Sequence, residues 1–298
     1  MSQAFFCWLW YNGNMEKETI QKLKGYFEKR EDVVMAFLFG SHAKGRVRRD
    51  SDWDIGVYVI PQQRQGVELE AGRDIPERGA MHADVEKITG GDVDLVVLNN
   101  AAPSVVYTAL NRGTVLAQKD RVLYLELLRR SFYEALDFWR FTEEFARAHE
   151  RSRSLSPEDR AVVTRHFVFL KNELAELPRF AALTQKQYTE EKDMRRNVER
   201  WVENMVMVAL DIAKILLASK KRDVPDSYQE TLRAVGFSFL DESGAAVFAD
   251  FAGLRNFIAH EYLDLRWKEI FGFIGQAATL YPQFVSYVKK ELASDKGE

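Results

Sequence analysis

The stretch that most constrains this chain runs from Phe37 to Val57: Phe-Leu-Phe-Gly-Ser-His-Ala-Lys-Gly-Arg-Val-Arg-Arg-Asp-Ser-Asp-Trp-Asp-Ile-Gly-Val. Val33 to Phe39 is a continuous apolar run of the length a buried strand shows. Gly40-Ser41 interrupts it, and glycine lets the backbone turn tightly and approach another group closely. A basic loop with Lys44, Arg46, Arg48 and Arg49 follows, then a second apolar strand that opens with acids. Strand side chains alternate faces, so Asp52 and Asp54 point one way and Trp53 and Ile55 the other.

Two carboxylates side by side repel each other, and a divalent cation between them relieves the conflict. The Gly-Ser turn offers the complement: backbone N–H groups and the Ser41 hydroxyl for an anion, with Lys44 and Arg46 nearby. An acid-held magnesium facing a turn-held phosphate is what phosphoryl or nucleotidyl transfer requires. The same letters also suit an ordinary turn with solvated carboxylates, because Ser-Asp clusters are common turn chemistry.

Gly40-Ser41, a loop, then Asp52-Trp53-Asp54-Ile55 resembles the signature of the polymerase-β-type nucleotidyltransferases, in particular the minimal nucleotidyltransferases. In that family a later strand supplies a third carboxylate. Asp92-Val93-Asp94-Leu95-Val96-Val97-Leu98 matches it, with Asp94 at the matching position. The resemblance implies Mg²⁺, two ions, on Asp52, Asp54 and Asp94, and ATP on Gly40, Ser41, Lys44 and Arg46.

The 298 residues give room for two domains. A net charge of −3 offers no global attraction to nucleic acid, so an RNA contact needs a local basic patch. The single cysteine, Cys7, excludes an intramolecular disulfide framework and a multi-thiolate zinc site, and fits a cytoplasmic protein. Ala4 to Trp10 is apolar but far short of the ~20 residues of a membrane-spanning helix. Residues 1–14 read as an N-terminal extension, an upstream start or a docking segment, before an amphipathic helix from Glu16.

Helical spacing over Glu16–Arg30 and strands at 33–39, 52–60, 92–98 and 114–117 predict an α+β domain over residues 15–118, and the resemblance to polymerase-β-type nucleotidyltransferases implies that its sheet is mixed. Gln62 to Thr89, polar and broken by Gly72, Pro76 and Gly79, reads as an irregular excursion. Residues 119–156 form a long amphipathic helix and a linker, with the boundary at Ser152–Pro157. Residues 157–298 read as helices throughout, an all-α bundle. Trp139 and Trp201 are expected in the core. Asp211, mid-helix among apolar residues, is expected to be a buried partner for a basic side chain, such as Arg255. His42 is expected to contact the nucleotide or to be solvated, and His82, His149 and His166 to be surface or packing residues.

Within the bundle sits Gly253-Leu254-Arg255-Asn256-Phe257-Ile258-Ala259-His260-Glu261-Tyr262. At about 100° per residue, Arg255 and His260 stand about 140° apart on a helix, so only the reach of arginine lets them share a site. Read from the residues alone, the pair suits a structural ion pair or helix end as well as catalysis. Arg-x4-His-x-Tyr at the start of a late helix resembles the HEPN ribonucleases, in particular the HepT-type toxins. The run Met194 to Arg200, with Ala209-Leu210-Asp211-Ile212-Ala213 after it, resembles their central helix.

That second resemblance implies a homodimer through the HEPN bundle and metal-independent RNA cleavage by His260 with Arg255. Together the two resemblances imply an antitoxin-like transferase that moves AMP from ATP to Tyr262 and so silences the RNase. Competing readings are a transferase acting on an aminoglycoside-type small molecule or on tRNA, the bundle serving as a substrate-binding or dimerisation module, and a non-catalytic interaction protein.

Overall fold

A computed structural model describes residues 3–43, 51–62, 66–151, 154–260 and 263–294, with side chains described except at 3–15, 255–260 and 263–265. The chain divides into two compact units, Met1–Asp137 and Phe138–Glu298.

In the first unit, helix α1 (Gln3–Lys29) leads into strand β1 (Val33–Leu38), the short turn helix α2 (Gly40–Ala43) and strand β2 (Trp53–Val59). Helix α3 (Arg78–Thr89), strand β3 (Val93–Val97), helix α4 (Pro103–Arg112) and strand β4 (Thr114–Gln118) follow. The strands form one sheet in the order β3-β2-β1-β4. β1 pairs antiparallel with β2 and β4, whereas β2 and β3 are parallel, which makes the sheet mixed, as expected.

Alternation along the strands builds two cores. Trp53, Ile55, Val57 and Leu95 face Leu23 and Phe27 of α1 and Met81 and Val85 of α3. Phe37, Tyr58 and Leu98 face Val106, Ala109 and Leu110 of α4 and Leu127 beyond it. Helices thus cover both faces, and the even residues of β2 and β3, among them Asp54 and Asp94, belong to the α4 side.

The segment read as an irregular excursion contains α3, a regular helix of 12 residues. Its apolar stripe is thin, with only Met81 and Val85 buried, and Gly79 and Pro76 mask the period in the sequence. Gly90 ends it in the left-handed conformation, φ +68°, a stop that glycine favours. From α3, His82 Nε2 meets the Val93 carbonyl at 2.9 Å and Arg78 donates to the Leu95 carbonyl at 3.4 Å. These contacts occupy carbonyls of β3, which has one neighbour in the sheet.

Helix α5 (Arg121–Arg151) begins in the first unit and ends in the second. The second unit continues with α6 (Pro157–Ala175), α7 (Leu177–Ala181), α8 (Gln185–Glu190), α9 (Lys192–Ser219), α10 (Tyr228–Gly236), α11 (Glu242–His260) and α12 (Leu263–Ser294). Ser156 caps α6 by accepting the Asp159 N–H at 3.0 Å. α9 is the central helix, with Trp201, Met205, Ile212 and Leu216 buried against Phe251, Phe273 and Tyr281 of α11 and α12. The strandless bundle expected here is what the described residues form.

Trp139 departs from the expectation: it is 41% exposed, whereas Trp201 is buried. Asp211 has a basic partner, as expected: it is half-buried and pairs with Lys214, 3.2 Å away on the next turn of α9; the side chain of Arg255 lies outside the described residues. Lys214, itself buried, also binds Glu144 at 2.5 Å. No helix among the described residues is long and apolar enough to cross a membrane.

Candidate active site

β1 ends one residue before the Gly-Ser turn, and the sheet delivers that turn to the start of β2. The Phe39 N–H donates to the Asp54 carbonyl at 2.9 Å, so the ladder runs up to the turn itself. Gly40 takes φ +68°, a conformation that side chains resist. A Cβ there would stand 1.8 Å from Asp54 Oδ2. The Ser41 N–H donates to the Asp54 carboxylate. Glycine is therefore required twice at position 40, for its dihedral and for the carboxylate pressed against it.

Asp54 and Asp94 are register partners across the parallel β2–β3 pair and lie on the same face. Burial pushes the Asp54 carboxyl above its ordinary range, Asp94 and then Asp52 push it further, and the Ser41 N–H and His42 act against the rise. Asp52 and Asp94 are exposed. Among the described residues no three His, Cys, Asp or Glu side chains stand close enough to grip a metal ion by themselves. Magnesium does not need such a cage: it is held by one or two carboxylates, with waters and substrate phosphates completing its shell. A half-buried carboxylate under like-charge repulsion from two others is a donor set that this cation fits.

His42 has a structural place. Its ring stacks on Trp53 with centroids 4.0 Å apart, Nδ1 meets Glu16 Oε1 at 3.0 Å and Nε2 meets the Ser51 carbonyl at 3.1 Å. With 6% of its side chain exposed, it fastens the turn to α1 and to the start of β2. Sequence reading missed the role of Glu16, which lies 26 positions away and carries no local signal. Lys44 and Arg46, expected at the nucleotide, lie outside the described residues.

The other motif occupies the end of α11, not the start of a helix: Arg255 and His260 fall in its last two turns, and α12 begins at Leu263. Buried Phe248, Phe251 and Ala252 fix α11 in the bundle. Beyond the motif, Arg266 approaches Glu199 of α9 at 3.4 Å, and Glu199 accepts the Tyr188 hydroxyl at 2.7 Å. The side chains of Arg255 and His260, and all of Tyr262, lie outside what is described.

The polymerase beta nucleotidyltransferase family matches residues 21–122, and the ribonuclease HepT-like family matches residues 170–289. The chain joins a polymerase-beta-type nucleotidyltransferase domain to a HepT-like HEPN domain. The acids and the Gly-Ser turn fall inside the first match, and the Arg255/His260 motif falls inside the second. No curated protein matches the chain. Among solved structures, one titled as a crystal structure of a toxin-antitoxin with AMP-PNP is 22% identical, at a TM-score of 0.32. That match covers 41% of this chain and 90% of the other.

Proposed function

We propose that the nucleotidyltransferase domain is a Mg²⁺-dependent adenylyltransferase that moves AMP from ATP to Tyr262 of the HepT-like domain. The observation that carries this reading is the Asp54 carboxylate, repelled by Asp94 and Asp52 and seated against the Gly40-Ser41 turn.

In this reading Asp52, Asp54 and Asp94 hold magnesium, which supplies charge neutralisation of the triphosphate. The turn's backbone N–H groups and the Ser41 hydroxyl bind phosphate oxygens, assisted by Lys44 and Arg46. Asp94, exposed and across the ladder from Asp54, takes the phenol proton of Tyr262. The phenol oxygen then bonds to the α-phosphorus, the bond from that phosphorus to the bridging oxygen breaks, and pyrophosphate leaves.

In the HepT-like domain, His260 serves as general acid and base at the RNA 2′-OH, and Arg255 steadies the charge on phosphorus. Two copies of the bundle, paired as a homodimer, bring two such motifs to one site. An adenylyl group two residues from His260 adds bulk and negative charge and turns a polyanion away.

Incubation with labelled ATP and Mg²⁺, followed by separation of protein, RNA and small molecules, tests the substrate class. Label in the protein supports this reading. Label in tRNA or in an aminoglycoside, with none in the protein, overturns it.

A further inference from the structure

Beside β3 lies a groove of about 350 Å³, with Asp94 to Val97 on one wall and Arg73, Asp74, Ile75 and Arg78 on the other. β3 is an edge of the sheet, and β1, which leads into the Gly40-Ser41 turn, lies on the far side of β2. Of the register pair, Asp54 sits against Gly40 whereas Asp94 lines the groove. Turn and groove thus meet the acids from opposite sides. In an in-line displacement the attacking oxygen stands across the phosphorus from the leaving group. With the triphosphate on the turn, the groove is on the acceptor's side.

We propose that this groove seats the acceptor segment and that Arg78 selects it by pairing with Glu261 and Asp264, the acids that flank Tyr262. The inference rests on the adenylyl-transfer reading above and names what that transfer recognises. Arg73 is already committed. Its Nη2 donates to the Ile60 carbonyl at 2.7 Å, and its Nε lies 3.1 Å from Glu68 Oε2. The Asn100 amide holds the Arg73 backbone N–H and carbonyl at 3.2 and 2.8 Å, which fixes the rim of the groove. Arg78 is different: it is exposed, and its Nη2 reaches the Leu95 carbonyl at a long 3.4 Å. A guanidinium has five N–H donors, so that contact aims the side chain along β3 and leaves donors for a ligand. An arginine at this place attracts an acidic peptide and repels the ammonium groups of an aminoglycoside. His260-Glu261-Tyr262-Leu263-Asp264 brings acids on both sides of the phenol and neither lysine nor arginine.

Rates of AMP incorporation into the full chain, followed by intact mass, test the assignment. Arg78→Glu is expected to slow incorporation about tenfold or more, because like charges then face each other. Arg78 is the first residue of α3, where a glutamate suits the helix dipole, so the fold should survive the change. ATP binding, read as the rise in melting temperature, should match wild type. Adding Glu261→Arg and Asp264→Arg to Arg78→Glu should restore incorporation to within about threefold of wild type. Three results overturn the groove assignment while the transfer reading stands: a wild-type rate for Arg78→Glu, a loss that the reversed acids do not recover, or weakened ATP binding. Absence of incorporation into wild type overturns the transfer reading, and this inference with it.

Discussion

The Asp54 carboxylate fills the space that a side chain on Gly40 would need: a Cβ at position 40 would stand 1.8 Å from Oδ2 and 2.5 Å from Cγ. Turn and acid are thus one unit, and neither can change without moving the other. Gly40→Ala should force Asp54 aside and oppose the positive φ, leaving the fold intact by circular dichroism. A displacement of that size should lower AMP incorporation by about a hundredfold. Incorporation within about twofold of wild type would show that the contact does not matter to the chemistry.

The electrostatics of Asp54 set a pH dependence. Burial, then Asp94 and Asp52, raise its folded-state pKa above the value in the unfolded chain. The folded state therefore holds that proton more firmly, and its advantage is lost as pH rises through the raised value. Asp54→Asn removes the loss while keeping an oxygen for the Ser41 N–H. Thermal melts should show the Asp54→Asn variant more stable than wild type at neutral pH, with the gap closing as pH falls through the raised value and gone below about 4. A variant less stable at neutral pH would refute the assignment. Mg²⁺ should raise the wild-type melting temperature more than that of the variant.

Asn99 is fully buried beside the end of β2. Its amide accepts the Val59 N–H at 2.9 Å and donates to the Val59 carbonyl at 3.1 Å and to Glu68 Oε2 at 2.9 Å. Asn99→Leu keeps the branched outline of the side chain but strands both backbone groups of Val59. Urea unfolding should show a loss of about 2–4 kcal/mol. A loss under about 0.5 kcal/mol would mean water or another side chain replaces the amide.

Tyr281 presents the opposite case. Its ring is buried among Phe248, Phe251, Phe273 and Phe284, and its hydroxyl finds no hydrogen-bond partner among the described residues. Burial without a partner pushes the phenol far above its ordinary range. Tyr281→Phe should therefore stabilise the protein by about 1 kcal/mol in a denaturant titration. Destabilisation would reveal an acceptor for the hydroxyl.

What the sequence made legible follows from range. Gly40-Ser41 and Asp52-x-Asp54 were readable because turn chemistry and strand alternation are local rules. Asp94 came from the family pattern, and the sheet confirms only that it sits opposite Asp54. The bundle was readable from long stripes such as that of α9. α3 was not, because two buried residues in 12 leave too little period. Trp139 misled because α5 has apolar residues on both sides, and periodicity alone cannot say which side is covered. His42 depends on a partner whose identity no spacing rule supplies, Glu16 from a helix earlier in the chain, whereas Asp211 pairs with Lys214 three residues on, a spacing that helical periodicity allows.

Intact-mass spectrometry of the full chain after incubation with ATP and Mg²⁺ tests the central claim most directly, comparing wild type with Tyr262→Phe and Asp94→Asn. The account predicts a gain of one adenylyl group on wild type and no gain on either variant. Equal gain on wild type and Tyr262→Phe would contradict it.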